Sequence, residues 1–152
     1  MNQHYGEKGR ICKACSEFKN LMKSNISSSN PNIITHTKRD DCPLDVNELG
    51  KVSWSFLHTL AAYYPKEPSN EDKKDMETFI NLVAKFYPCD ICAEDFKNQI
   101  KRNFPKLKSQ FDLSMWLCQI HNEINERLNK PRFDCSKVFQ RWRDGWNDKS
   151  CD

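Results

Sequence analysis

Cys89-Asp-Ile-Cys92, directly behind Pro88, is the arrangement in this chain best placed for chemistry. It stands where an apolar periodic segment begins, so the pair falls at the start of a helix. Unpaired amides and the positive end of the helix dipole stabilise a thiolate there and lower its pKa. The spacing also lets the two sulfurs bond in a small loop that an attacking thiolate opens readily. Zinc is the rival chemistry. Cys89-x-x-Cys92 and Cys118-x-x-His121, with 25 residues between them, approximate a set of three cysteines and one histidine, and Cys12-x-x-Cys15 offers a further half-site. Against zinc, Cys118 and His121 lie mid-helix among bulky apolar residues. The remaining cysteines, Cys42, Cys135 and Cys151 among them, would also lack a role.

A second constellation lies further along. His121, Asn122, Asn125 and Arg127 fall within two helical turns, with His121 and Asn125 on one face at i, i+4. Trp54 and His58 repeat that spacing, and Trp142 follows near the C-terminus. Imidazoles, amides, a cation and indole rings together suit a ligand that carries both rings and phosphates. For any one of these residues a solvated polar edge is the plainer account. Their concentration in a chain with a CxxC pair points to a cofactor.

The elements that must position these residues read as helices, with no convincing strand. Asp45-Val-Asn-Glu48 is an N-capping pattern, followed at helical spacing by Leu49, Val52, Phe56, Leu60 and Tyr63 until Pro65. Ser69 can cap a second helix through Met76, Phe79, Ile80, Val83 and Phe86, stopped near Pro88. A third starts at or near Cys89 and runs past Phe96 and Ile100 towards Pro105. The fourth runs from about Asp112 to Leu128, with Leu117, Ile120, Ile124 and Leu128 on one stripe, ended by Asn129 and Pro131. A short fifth, capped by Asp134, carries Val138 and Trp142. Short connections imply antiparallel neighbours and a compact helical bundle, whose apolar stripes are ordinarily core.

Composition narrows the field. With 152 residues there is room for one domain and a tail. Residues 1–39 hold the first CxxC and the stretch Ser24-Asn-Ile-Ser-Ser-Ser-Asn-Pro-Asn, which is too poor in apolar residues to pack and reads as a flexible linker. The folded domain is expected over 40–152. No run approaches the roughly 18 apolar residues that span a bilayer, and no apolar segment of a secretory signal follows Met1. Without such a signal the sequon Asn25-Ile-Ser27 carries little weight. The net charge of +3 comes from intermixed signs, which argues against nucleic acid as a partner. Eight cysteines suggest disulfides in an oxidising compartment or metal sites in a reducing one.

Beyond these local readings, extended segments resemble one family. Tyr87-Pro-Cys-Asp-Ile-Cys-Ala-Glu-Asp-Phe is similar to the active-site motif of the Erv/ALR sulfhydryl oxidases. Trp116-Leu-Cys-Gln-Ile-His-Asn-Glu-Ile-Asn and Lys130-Pro-Arg-Phe-Asp-Cys resemble its flavin-binding signature, and Trp54-Ser-Phe-Leu-His-Thr-Leu-Ala-Ala-Tyr-Tyr-Pro its first helix. The likeness runs in order over about residues 40–152 and is closest to the family's mitochondrial member, whose long form carries an N-terminal CxxC shuttle. It implies an all-α four-helix bundle with a short fifth helix, FAD at the bundle mouth, and a disulfide-stapled homodimer.

The resemblance also implies roles. Cys89–Cys92 would be the redox disulfide, with Cys92 facing the flavin and Cys89 exchanging with incoming thiols. Cys12–Cys15 would relay electrons from substrate. Cys118–Cys135 would be structural, and Cys42 and Cys151 would bridge subunits. Family positions for FAD map onto Gly50, Lys51, Trp54, His58, Tyr63, Tyr87, Cys118, His121, Asn122, Asn125, Lys130 and Trp142. The implied activity makes disulfides in a thiol-bearing protein substrate or a disulfide relay oxidoreductase, with oxygen or cytochrome c as electron acceptor. The implied location is the mitochondrial intermembrane space, with the cytosol as a second compartment. Two readings from other classes stay open on the residues alone. One is a zinc-binding interaction module using Cys89, Cys92, Cys118 and His121; the other is a structural helical factor stapled by disulfides.

Overall fold

A computed structural model describes residues 41–151. Four helices form the body: α1 Val46–Ala62, α2 Asn70–Phe86, α3 Asp90–Arg102 and α4 Gln110–Arg127. No strand occurs among the described residues. The first CxxC and the expected linker lie outside them.

Local chemistry sets the helix starts. The Asp45 carboxylate accepts from the amides of Asn47 and Glu48, both at 2.9 Å, while Glu48 accepts from the Asp45 amide. This closes a capping box, as the sequence pattern requires. Ser69 and Asp72 close a second at α2. α4 begins at Gln110, two residues before the expected Asp112, because the Ser109 hydroxyl takes the Asp112 amide. Its end follows expectation: Asn129 adopts the left-handed conformation at φ 54°, which asparagine tolerates better than most residues.

The core is built from Leu57, Ala61 and Tyr64 of the α1 region, Ile80 and Ala84 of α2, Phe96 and Ile100 of α3, and Leu113, Trp116, Leu117 and Ile120 of α4. α1 packs chiefly on α4, and α2 on α3. Trp116 is fully buried, and its indole N–H donates to the Asn103 carbonyl at 2.9 Å, which fixes the end of α3 against the middle of α4. One expectation fails on α1. Val52, Phe56 and Tyr63 lie on the outside, at 50%, 57% and 65% exposure, and the inward face is Leu57, His58, Ala61 and Ala62. The helix is apolar on two faces, and small alanines mark the one that meets α4 closely.

The short fifth element also departs from a plain α-helix. Asp134 caps it as expected, accepting from the Ser136 amide at 3.1 Å. A 3₁₀ turn, Cys135–Lys137, then runs through buried Val138 into a wide π-helical turn, Gln140–Asp144. Its start is bound to α4 through Cys135, and its end packs on α1. The wide turn places Trp142 on α1 and sends Arg143 back to Gln110, where its guanidinium donates at 2.8 Å. Single-turn π geometry of this kind is frequent at functional sites.

Candidate active site: a disulfide beside an aromatic and imidazole box

Cys89 and Cys92 are bonded to each other, with their Cα atoms 5.3 Å apart. Cys89 is the N-cap of α3, and no side chain caps that helix, whereas α1, α2 and α4 each have a carboxylate or hydroxyl cap. The first-turn amides of α3 are therefore available to a sulfur anion released at this end. Of the two residues, Cys89 is the covered one, at 1% exposure, and Cys92 is half-buried. The resemblance gave Cys89 the incoming thiols. In the single chain, exchange at Cys89 requires a local opening that exposes this covered residue.

One turn beyond Cys92, Phe96 meets Trp54 of α1 edge-on at 6.3 Å between ring centroids. Trp54 in turn stacks on His121 of α4 at 4.1 Å, with the planes 7° apart. His58, one turn after Trp54, stacks on Trp142 at 4.9 Å and 4°. The two imidazoles join these stacks, His58 Nε2 and His121 Nδ1 being 3.0 Å apart. Three elements thus contribute to a box of two indoles and two imidazoles.

The histidines are neutral at physiological pH. Burial, and then the neighbouring His121, pushes His58 down to about 3. Burial, and then the Lys130 ammonium, pushes His121 down to about 4. Neutrality is what their contact demands, because one ring must donate and the other accept across the 3.0 Å gap. Cations stand around the box: Lys130 acts on His121, and the Arg141 guanidinium lies 5.0 Å over the Trp142 ring. Flat rings within and cations at the edge match a ligand with planar rings and a phosphate chain.

Behind the box a clasp holds α4 to the fifth element. Cys118 and Cys135 form a second disulfide, with Cα atoms 5.9 Å apart. The Asn122 amide donates to the Phe133 carbonyl at 2.9 Å and accepts from the Phe133 amide at 2.8 Å. Buried Asn122 therefore sets the course of the loop between α4 and Cys135. The Asn125 carbonyl accepts from the Lys130 amide at 2.8 Å and turns the same loop back, which brings Lys130 towards His121.

The other sequence-derived positions lie at varying distance from this centre. Gly50 is one turn before Trp54 on α1, and a Cβ added there would meet nothing within 4 Å. Exposed Lys51 follows it. The Tyr87 hydroxyl donates to Ser53 Oγ at 3.1 Å, tying the segment before the disulfide to α1. Tyr63 stands apart: it lies about 140° round the helix from His58 and lines a cleft with Leu60, Met76 and Phe79 on the far side. Arg141 and Phe96 were missed as site residues. Phe96 closes the segment that resembles the family's active-site motif, and its place at i+4 from Cys92 is the local signal that puts it beside the disulfide.

The zinc reading does not survive this geometry. Cys89 is bonded to Cys92 and Cys118 to Cys135, while His121 Nδ1 faces His58, so none of the three thiols it requires is free. No metal-holding group occurs among the described residues.

Residues 51–143 match the sequence profile of the Erv1 / Alr family. The chain belongs to that family. It is 35% identical over 170 residues to the mitochondrial FAD-linked sulfhydryl oxidase ERV1 of Saccharomyces cerevisiae, a match covering 95% of this chain and 88% of the relative. The Schizosaccharomyces pombe protein named mitochondrial FAD-linked sulfhydryl oxidase erv1 is 37% identical, with 86% of this chain and 85% of the relative covered. Among solved structures the yeast Erv1 core superposes with a TM-score of 0.70 at 41% identity, over 78% of this chain and all of the other. The FAD binding domain of Saccharomyces cerevisiae Erv1 gives 0.67 at 43% identity, over 69% of this chain and all of the other. The all-helical Erv1 / Alr fold expected from the sequence is therefore the fold observed.

Proposed function

We propose that this Erv1 / Alr chain is a FAD-linked sulfhydryl oxidase that introduces disulfides into other proteins. The carrying observation is the Cys89–Cys92 disulfide at an uncapped helix start, one turn from a box of Trp54, His58, His121 and Trp142. Neutral imidazoles, stacked indoles and the Lys130 and Arg141 cations fit the rings and pyrophosphate of FAD. Gly50, Lys51, Tyr87, Cys118, Asn122 and Asn125 complete the proposed cofactor set, and Tyr63, on the far side of α1, does not join it.

In the protein's own part of the reaction, a thiolate attacks one sulfur of Cys89–Cys92. The sulfur–sulfur bond breaks, a mixed disulfide forms, and the other cysteine leaves as a thiolate stabilised by the first-turn amides of α3. A second thiol of the donor then resolves the mixed disulfide, leaving the donor oxidised and Cys89 and Cys92 reduced. Held by Trp54, His58, His121 and Trp142, FAD would supply the two-electron oxidation that restores the Cys89–Cys92 disulfide, with oxygen or cytochrome c as final acceptor. The immediate donor is the Cys12–Cys15 pair, reduced in turn by a thiol-bearing protein substrate or relay oxidoreductase. Residues 1–39 form the shuttle segment and 40–152 the oxidase domain.

The protein acts as a homodimer linked through Cys42 and Cys151, whose thiols are exposed in the single chain. It is mitochondrial, as its yeast relatives are named, and we place it in the intermembrane space. No helix among the described residues is long and apolar enough to cross a membrane.

The test is a visible absorption scan with dithiol-dependent oxygen uptake on the purified full chain. A flavin spectrum with uptake supports the reading; a colourless protein that takes up no oxygen sinks it. Cys12→Ser should leave dithiothreitol oxidation intact and slow only a protein substrate. Equal loss with both substrates would remove the shuttle from the scheme.

A further inference from the structure

The redox site leaves one feature unexplained: a basic, aromatic surface at the opposite end of α3. From Lys97 to Phe111 the chain carries five cations, Lys97, Lys101, Arg102, Lys106 and Lys108, and no carboxylate. The whole protein holds 24 cations and 21 carboxylates, so outside this stretch 19 cations face 21 carboxylates and the balance is negative. Residues 1–39 hold another seven cations against two carboxylates, so within 40–152 the 97–111 stretch concentrates the positive charge, 12 cations facing 19 carboxylates in the rest of that region.

Two large apolar side chains stand in the same stretch, Phe104 at 68% and Phe111 at 59% exposure. The loop that presents Phe104 is held in place. The Asn103 carbonyl accepts from Trp116, Leu107 packs on the core, and the Gln110 amide donates to the Pro65 carbonyl at 3.1 Å. Phe104 is thus displayed on an anchored loop. Lys101, Arg102, Lys106 and Lys108 are exposed around it, and none is ion-paired with a described residue. Phe111 shares a shallow cleft with Lys66, Phe139 and Arg143, which carries the basic surface onto the α1–α2 loop and the fifth element.

Cations in the last turn of a helix are ordinarily explained by the dipole. That accounts for Lys101 and Arg102 but not for Lys106, Lys108 or Phe104, which lie beyond α3.

We propose that this surface docks the protein on an anionic lipid bilayer. Apolar rings at the acyl boundary, with lysines and arginines at the headgroups, are the chemistry of a peripheral membrane contact. The patch occupies one end of the helical domain while the rest of residues 40–152 is net negative, which suits a flat anionic surface and disfavours a polyanion that wraps. The Cys89–Cys92 disulfide lies about 18 Å away along α3 by helix rise. Docking would leave that end turned to the aqueous side.

The test is co-sedimentation of the full-length holoprotein with phosphatidylcholine vesicles, with and without phosphatidylserine, at low and high salt. Binding is expected only to the anionic vesicles, weakened by salt. Each near-surface cation contributes about fivefold, so the triple variant Lys101→Gln/Lys106→Gln/Lys108→Gln should bind about a hundredfold more weakly. Phe104→Ser should weaken binding further without changing flavin absorbance or dithiothreitol oxidation. Equal binding to neutral vesicles, no binding to anionic vesicles at low salt, or full binding by the triple variant would overturn the proposal. So would binding of a single-stranded oligonucleotide or an acidic protein without any binding to vesicles.

Discussion

At the scale of single residues, the two cysteines of the redox pair are unequal in a way that can be measured. Cys92→Ser leaves Cys89 as a lone thiol, at a residue 1% exposed. Turnover should vanish while the flavin spectrum persists; loss of FAD from a folded variant would contradict the assignment of roles. The remaining Cys89 should react slowly with an aromatic disulfide reagent and accelerate in mild denaturant, because its surroundings must open to expose it. Immediate full-rate labelling would mean that Cys89 is accessible after all. The histidine pair gives a second residue-scale prediction. His58 and His121 titrate near 3 and 4 in the fold, below the unfolded value near 6.5. The unfolded chain therefore binds more protons below about pH 6.5, and stability falls as pH drops from there towards 4 and 3. Each histidine contributes at most about 1.4 kcal/mol per pH unit in that window, and less for half-buried His121. Denaturant unfolding at pH 7 and pH 5 should show the loss, and His58→Asn should reduce it. An unchanged pH slope in the variant would refute the coupling.

The helices were largely legible because their signals are local. Asp45 with Glu48, and Ser69 before α2, announce helix starts within four residues, and the same boxes form in the structure. What sequence could not decide was which face of α1 points inward. Both faces are apolar, and only packing against α4 selects Leu57 and Ala61 over Val52 and Phe56. The box was half legible: Trp54 with His58 could be paired by helical spacing, but the His58–His121 contact joins residues 63 apart in sequence. The Asn122 clasp on the Phe133 backbone was likewise invisible, since it depends on how the loop returns. That clasp and the Cys118–Cys135 bond define an element-scale prediction. Removing the disulfide with Cys118→Ser/Cys135→Ser should cost on the order of 3 kcal/mol by chain entropy. Asn122→Ala strands two backbone groups and should cost about 1–3 kcal/mol. Both should loosen the fifth element and with it Trp142, so FAD should dissociate at lower denaturant than global unfolding. Simultaneous loss of cofactor and helix signal in both variants would show that the element has no independent stability.

At the scale of the whole molecule, the misplaced stripe of α1 becomes informative. Val52, Phe56 and Tyr63 are at least half exposed, Phe56 meets Phe79 of α2 edge-on at 6.3 Å, and Leu82 and Phe86 extend the apolar surface along α2. Contiguous apolar surface of this kind marks interaction sites on soluble proteins. The homodimer we propose would bury it, with exposed Cys42 and Cys151 flanking the helical domain in sequence and available to bond across subunits. The two contributions can be separated. Cys42→Ser/Cys151→Ser should abolish the covalent dimer on a non-reducing gel while light scattering still reports a dimer. Phe56→Glu should do the reverse to the non-covalent contact: a buried unpaired charge costs about 3 kcal/mol or more, which weakens the dimer by about a hundredfold. Because Phe56 is 57% exposed in the single chain, its helical signal should be unchanged. A wild-type protein that sediments as a monomer at micromolar concentration would refute the dimer, and would leave the α1–α2 face in need of another partner.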